Sequence, residues 1–111
     1  MKHYAGERTP DGVDVLVLDR DLPDGGRPLD PRFDLRRHAD GLNFGYAGSG
    51  PAQLSLALLA DALGDDDRAR RNYQDFKRKH VARWEGDRFE ISAEDIRQIV
   101  AGLERDRDRG R

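Results

Sequence analysis

Residues 51–63, PAQLSLALLADAL, are apolar around nearly the whole circumference of a helix, and this run constrains the fold more than any other. Gln53, Ser55 and Asp61 are its only polar residues, and they do not collect on one face. A helix of this kind is buried on most of its surface. Its length as a helix would be about 20 Å, too short to cross a membrane. We therefore predict a buried central helix over residues 51–63, which the rest of the chain must cover.

The segments on either side of this helix predict strands and two more helices. Residues 13–19, VDVLVLD, are rich in β-branched and aliphatic side chains, and the turn TPDG at 9–12 would pair them with a short strand at 2–4. Residues 65–84 and 93–103 have the spacing of amphipathic helices, with Ser92 as the N-cap of the second. The expected strands are 2–4, 13–19, 35–38, 42–46 and 88–92, and the expected helices are 51–63, 65–84 and 93–103.

These elements predict an α+β fold in which a small, mainly antiparallel sheet packs against about three helices. A chain of 111 residues, 36% of them apolar, can bury one modest core, so we expect a single domain over residues 1–103. Residues 19–34 contain three prolines and two glycines and predict a long loop. Residues 104–111, ERDRDRGR, have no apolar side chain and predict a frayed, charged tail.

The second predicted helix concentrates positive charge. Residues 68–83 hold seven Arg or Lys and one acid, Asp75, in a chain whose net charge is −2. Tyr73, Phe76 and Trp84 lie on the inward face of this helix and predict core positions. The basic face predicts contact with nucleic acid or an acidic protein, with the 19–34 loop beside it, or else a solvated face that pairs with aspartates elsewhere. The predicted partner-binding residues are Arg70, Arg71, Lys77, Arg78 and Arg83.

A glycine-rich stretch, GYAGSGPAQ at 45–53, leads into the first predicted helix. Helix N-termini carry unpaired N–H groups that can hold an anion, although this stretch lacks both the P-loop ending and the dinucleotide-binding spacing. In the structural interpretation Ser49 or Gly50 caps the helix, Pro51 occupies the first turn and Gln53 reaches back to the cap. Both interpretations stay open. The candidate anion-binding residues are Gly48, Ser49, Gly50 and Gln53.

The same stretch carries a family resemblance, together with a Tyr-x-x-Phe-Lys group at Tyr73, Phe76 and Lys77 and a capped last helix. The residues that match its core motif are Phe44, Gly45, Tyr46, Gly48, Ser49, Gly50, Pro51, Ala52, Gln53 and Leu54. Over about residues 2–101 the chain resembles a family of small uncharacterised proteins of prokaryotic genomes, plasmids and phages. Ala47 stands where that family usually has a second glycine. The resemblance implies a mobile-element setting and no activity.

The residues assign no catalytic group, metal site or cofactor. There is no cysteine, and His3, His38 and His80 are too far apart in sequence to form a local metal motif. Ser49 lacks the Gly-x-Ser-x-Gly spacing of a nucleophile elbow, so we expect no enzyme, while a catalytic role of the glycine-rich stretch stays an alternative. No secretory signal or membrane span is recognisable, which predicts a cytoplasmic protein without membrane contact.

We therefore expect a non-enzymatic accessory protein of mobile-element type that binds a macromolecular partner through its basic helix. Two alternatives remain: a small-ligand or anion (phosphate) site at the Gly-Ser-Gly-Pro helix start, and a structural or self-assembling protein.

Overall fold

The computed structural model describes residues 1–21 and 25–110 as an antiparallel sheet packed on three helices, which confirms the α+β prediction. The strands are β1 (Lys2–Thr9), β2 (Gly12–Asp19), β3 (Gly26–Pro28) and β4 (Arg88–Ser92). The helices are α1 (Ser49–Leu63), α2 (Asp66–Lys79) and α3 (Ala93–Arg109), with a 3₁₀ turn at Val81–Arg83. The strand order is β3-β2-β1-β4, and every neighbouring pair is antiparallel.

The first two strands form the predicted hairpin. The TPDG turn joins them so that Thr9 faces Gly12 and Lys2 faces Asp19. Gly12 has a φ of 139°, a backbone conformation that favours glycine. β1 extends to Thr9 and is longer than the predicted strand at 2–4. Ala5 and Gly6 have weak strand propensity, so pairing with β2 on one side and β4 on the other sets the length of β1.

Helix α1 is the centre of the core, as predicted. Every residue from Gly50 to Ala60 is buried, including Gln53 and Ser55, which are fully enclosed. The helix starts at Ser49, ahead of the predicted start, and ends at Leu63. A glycine directly after a helix predicts a C-cap, and Gly64 forms one with a φ of 62° and an N–H bond to the Ala60 carbonyl. The sheet, α2 and α3 surround α1, so the helix has little contact with water.

The strands predicted at 35–38 and 42–46 are wrong: both segments are irregular. Their backbone groups bond to side chains of α1 and β1 rather than to another strand. The loop predicted at 19–34 contains β3 and the buried Leu29, whose N–H donates to the Val15 carbonyl at 2.9 Å. Within that loop, residues 22–24 lie outside the described residues.

The C-terminal helices differ from prediction at their ends. α2 stops at Lys79, before the predicted end at 84, and the chain turns through Val81–Arg83 so that Trp84 stacks on Phe89 with ring centroids 4.7 Å apart. The Ser92 hydroxyl caps α3 by accepting from the Asp95 N–H at 3.0 Å, as predicted. α3 then continues through Arg109, although a frayed tail was the expectation for residues 104–111.

Two ion pairs explain the continued helix. Arg68 of α2 donates to Glu104 at 2.8 Å, and Arg107 donates to Asp75 at 3.0 Å. Both pairs join α2 to the last turns of α3, where apolar side chains are lacking. Arg111 lies outside the described residues.

Gly6 offers a test of how tightly the sheet packs. A Cβ at Gly6 would lie 1.9 Å from Cε2 of Phe89, and Phe44 and Trp84 hold that ring in place. We expect Gly6→Ala to lower the free energy of unfolding by about 1–3 kcal/mol because the ring must be displaced. Urea denaturation measures this.

Gly41→Ala is the matched control, since a Cβ there meets nothing within 4 Å. Its unfolding free energy should stay within about 0.5 kcal/mol of wild type. Equal stability of the two variants would contradict the packing described for Gly6.

Candidate functional site

The N-terminus of α1 and the C-terminal end of α2 lie side by side. A short turn joins the two helices, which pack against each other and therefore run antiparallel. The Gly45 N–H, just before α1, donates to the Val81 carbonyl, just after α2, at 3.0 Å. The two surfaces predicted from sequence, a basic helix and a glycine-rich helix start, thus meet at one end of the molecule.

A third segment joins this end through the side chain of Gln53. Its amide nitrogen donates to the carbonyls of Pro31 and Arg36, at 2.6 and 3.0 Å, and its oxygen accepts from the His38 N–H at 2.8 Å. His38 also contacts α2, because its Nε2 lies 2.7 Å from the hydroxyl of Tyr73. Segment 31–38 is therefore fixed against both helices, and His38 has Arg36 of this segment and Lys77 of α2 as neighbouring cations that lower its pKa.

The structure gives Gln53 a role that differs from the cap contact expected for it. Gln53 is fully buried, and both amide donors are used within the chain. The prediction that Ser49 or Gly50 caps α1 is also wrong: the N-cap residue is Gly48, without a side-chain cap bond. Of the four candidate anion-binding residues, Ser49 is the exposed one.

The glycines at the helix start permit close contacts. A Cβ at Gly48 would lie 2.7 Å from the ring of Tyr46, and one at Gly50 would lie 2.6 Å from Cβ of Asn43. The Tyr46 ring therefore lies directly against the first residues of α1, while 47% of the residue stays exposed. The exposure of Tyr46 depends on contacts around the helix start, so the spacing of apolar residues in the sequence could not predict it.

The predicted partner-binding residues fall into two groups. Arg70 and Arg78 each pair with an aspartate of α2, Asp67 and Asp75. Arg71, Lys77 and Arg83 form no ion pair within the described part of the chain, and neither do Arg36 and Lys79, which the sequence analysis did not include. We define the cationic end as the unpaired residues close to the α1 N-terminus, with the two histidines among them. Its members are Arg36, His38, Lys77, Lys79, His80 and Arg83.

The opposite end of α2 begins with three aspartates, followed by three arginines within residues 65–71. Asp65 caps the helix by accepting from the Arg68 N–H, and Asp66 and Asp67 follow in its first turn. Arg32 of the 19–34 loop pairs with Asp66 at 2.9 Å. That loop therefore contacts the N-terminal end of α2 through Arg32, while Pro31 of the same loop accepts from Gln53 near the start of α1.

The two histidines of the cationic end resist protonation. Burial lowers the pKa of His38, and the positive charges of Arg36 and Lys77 lower it further. Burial likewise lowers the pKa of His80, with Lys79 and Arg83 as the neighbouring cations. Both imidazoles are therefore neutral at pH 7, and the positive charge of this end comes from Arg and Lys.

A second polar cluster joins the sheet to the far end of α1. The Tyr4 hydroxyl donates to Asp61 at 2.6 Å, and Lys2 and Arg27 pair with the same carboxylate. Burial and the Asp61 carboxylate raise the pKa of Tyr4 far above its ordinary value. Burial opposes ionisation of Asp61, but hydrogen bonds from Tyr4 and Arg27 keep its pKa below the ordinary value. The Asp61 carboxylate thus has one hydroxyl and two cations as partners, so the cluster serves as a structural tie between the sheet and α1.

Over residues 1–21 and 25–110, no group of three or more His, Asp or Glu side chains is arranged to hold a metal ion. In the same residues, no helix combines the length and apolar character needed to cross a membrane.

The Gln53 contacts generate one prediction. Gln53→Leu leaves the His38 N–H and the Pro31 and Arg36 carbonyls without partners, so we expect the free energy of unfolding to fall by about 3 kcal/mol or more. Ser49→Ala is the control, because Ser49 is exposed and should change stability by less than about 0.5 kcal/mol. Thermal and urea unfolding measure both. An unchanged Gln53→Leu midpoint would contradict the role given to this side chain.

The lowered pKa of His38 generates a prediction about how the stability of the protein depends on pH. The unfolded chain takes up a proton near the ordinary pKa of about 6.5, whereas the folded chain does so only at lower pH. The stability that the neutral imidazole contributes is therefore complete above that ordinary pKa and is lost as the pH falls through the folded pKa. We expect unfolding free energy to drop less for His38→Gln than for wild type between about pH 7.5 and about pH 5.5.

His3→Gln, on an exposed position of β1, should show the wild-type drop in the same urea titrations. An equal drop in wild type and His38→Gln would show that protonation of His38 does not oppose folding.

Comparison with known proteins identifies a family. Neither the curated proteins nor the solved structures match this chain. A family model does match, over residues 4–102, a range that includes most of β1, the other three strands, α1, α2 and most of α3. This range contains all the residues of the cationic end. It also contains Tyr46 and the two glycines, Gly48 and Gly50, against which its side chain lies. The chain belongs to the family of unknown function DUF6166.

Proposed function

We propose that this protein binds nucleic acid by its phosphate backbone at the cationic end. The observation that carries the proposal is the meeting of four Arg and Lys side chains that have no carboxylate partner within residues 1–21 and 25–110. They come from two separate segments and lie beside the N-terminus of a buried helix. Arg70 and Arg78 contribute less because neighbouring aspartates already bind them.

The chemistry of such a surface favours phosphate. Each Arg or Lys that contacts a phosphate releases a condensed counterion, and Arg can also donate two hydrogen bonds to one phosphate. The partial positive charge at the start of α1 adds to the attraction for an anion. The cations at the C-terminal end of α2 also stabilise that helix through its dipole, so their presence alone does not indicate a binding site. The proposal rests instead on their position beside Arg36 and the α1 N-terminus.

The wider setting is also proposed. We infer a non-enzymatic accessory protein of phage or plasmid type that acts in the cytoplasm, a setting supported by the sequence resemblance and by the absence of an assigned catalytic group. Self-assembly has less support, since α1 is covered within one chain and offers no apolar face to a second copy.

A binding experiment with matched variants tests the proposal. We expect the wild-type protein to bind a labelled oligonucleotide of about 12 nucleotides with an affinity that falls steeply between about 50 and about 200 mM salt. Lys77→Gln with Arg83→Gln should weaken binding about ten-fold at the lower salt and reduce the slope of log affinity against log salt by about two. Fluorescence anisotropy measures both quantities.

Arg97→Gln is the control, because it removes the same charge as Arg83→Gln at the other end of α1, where Arg97 donates to the Ala62 carbonyl at 3.3 Å. Its affinity should equal that of wild type. Absence of wild-type binding at low salt, or equal weakening by Arg83→Gln and Arg97→Gln, would refute the proposal. Binding of polyglutamate as tightly as the oligonucleotide would point instead to an acidic protein as partner.

A further inference from the structure

We propose that the nucleic acid bound at the cationic end is single-stranded, and that one of its bases stacks on the ring of Tyr46. This inference rests on the proposed function and names the class of nucleic acid that the site would take.

Tyr46 is an aromatic ring presented to solvent and held in a defined position. Three large hydrophobic residues are exposed in the described part of the chain, and Tyr46 is the aromatic one; the others are Met1 and Leu16. A Cβ at Gly48 would lie 2.7 Å from the Tyr46 ring, and one at Gly50 would lie 2.9 Å from its hydroxyl oxygen. The absence of both Cβ atoms lets the ring lie against the helix start.

The backbone fixes Tyr46 next to the turn after α2 that carries Arg83. The preceding residue, Gly45, has a φ of 89° and donates its N–H to the Val81 carbonyl at 3.0 Å. A Cβ on Gly45 would lie 2.9 Å from the Trp84 carbonyl oxygen, so only glycine permits this approach. Tyr46 is therefore the next residue after Gly45, which is hydrogen-bonded to the turn that carries Arg83.

The other aromatic residues near this end are buried or packed against other side chains. Phe76 is fully buried, Tyr73 is nearly so, and Trp84 stacks on Phe89. Tyr46 is therefore the aromatic ring of this end with a substantially exposed surface. An exposed ring beside cations is the arrangement by which proteins bind single strands, since every base has a face that can stack and the cations follow the backbone. In a duplex the bases stack on one another and do not offer that face to a side chain.

Three probes of equal length, about 12 nucleotides each, test this inference: oligothymidylate, an abasic strand with the same phosphates, and a duplex. We expect wild type to bind oligothymidylate about ten-fold more tightly than the abasic strand. Tyr46→Leu should abolish that difference by weakening oligothymidylate binding alone, because it keeps apolar bulk and loses the aromatic face. Tyr46→Phe should keep the difference.

The outcomes separate the two proposals. If wild type binds the abasic strand as tightly as oligothymidylate, stacking is refuted, and if it binds the duplex as tightly, the preference for a single strand is refuted. Phosphate binding at the cationic end stands in both cases. If wild type binds none of the three probes, the proposed function itself fails. Tyr46→Leu that weakens abasic-strand and oligothymidylate binding equally would show that the residue only supports the fold of the helix start. The wild-type comparison needs no variant, so it decides the matter even if Tyr46→Leu is unstable.

Discussion

Complete burial of α1 is the constraint on which the rest of the structure depends. A helix that is apolar on every side must be covered on every side, and the sheet, α2 and α3 leave the first turns of α1 to an irregular segment. Irregular backbone against a core must find partners for its N–H and C=O groups. Gln53 supplies these partners from inside the helix, so a single polar residue of an otherwise apolar segment makes the irregular cover stable.

The candidate site is a consequence of that cover. Because Gln53 binds the carbonyl of Arg36 and the N–H of His38, the same hydrogen bonds that close the core also bring a cation from a distant segment to α2. Arg8 has a similar role for the next stretch, since its guanidinium donates to the Asn43 side chain and to the Phe44 carbonyl. The segment that carries Tyr46 is thereby tied to β1 as well as to the turn after α2.

The sequence predicted those features that local pattern controls. The buried helix, the hairpin, the Ser92 cap and the Gly64 cap follow from periodicity and from turn and cap chemistry, and the structure contains them. The irregular residues 35–38 and 42–46 were misread as strands because their apolar residues pack on α1 without a strand partner. The site needed contacts between distant residues: neither the role of Gln53 nor the position of Arg36 has a local signal. The pairing of Arg78 with Asp75 likewise depends on side-chain placement rather than on residue counts.

The position of the unpaired cations at one end of α2 affects how the protein associates with another charged molecule. The unpaired cations of the cationic end lie about 21 Å along the helix from Asp66 and Asp67, which Arg32 and Arg70 bind, in a chain whose net charge is −2. At physiological ionic strength the screening length is about 8 Å, shorter than that separation. A highly charged polymer that comes close to one end would therefore sense that end almost alone, and the sign of the overall charge would have little influence on the encounter.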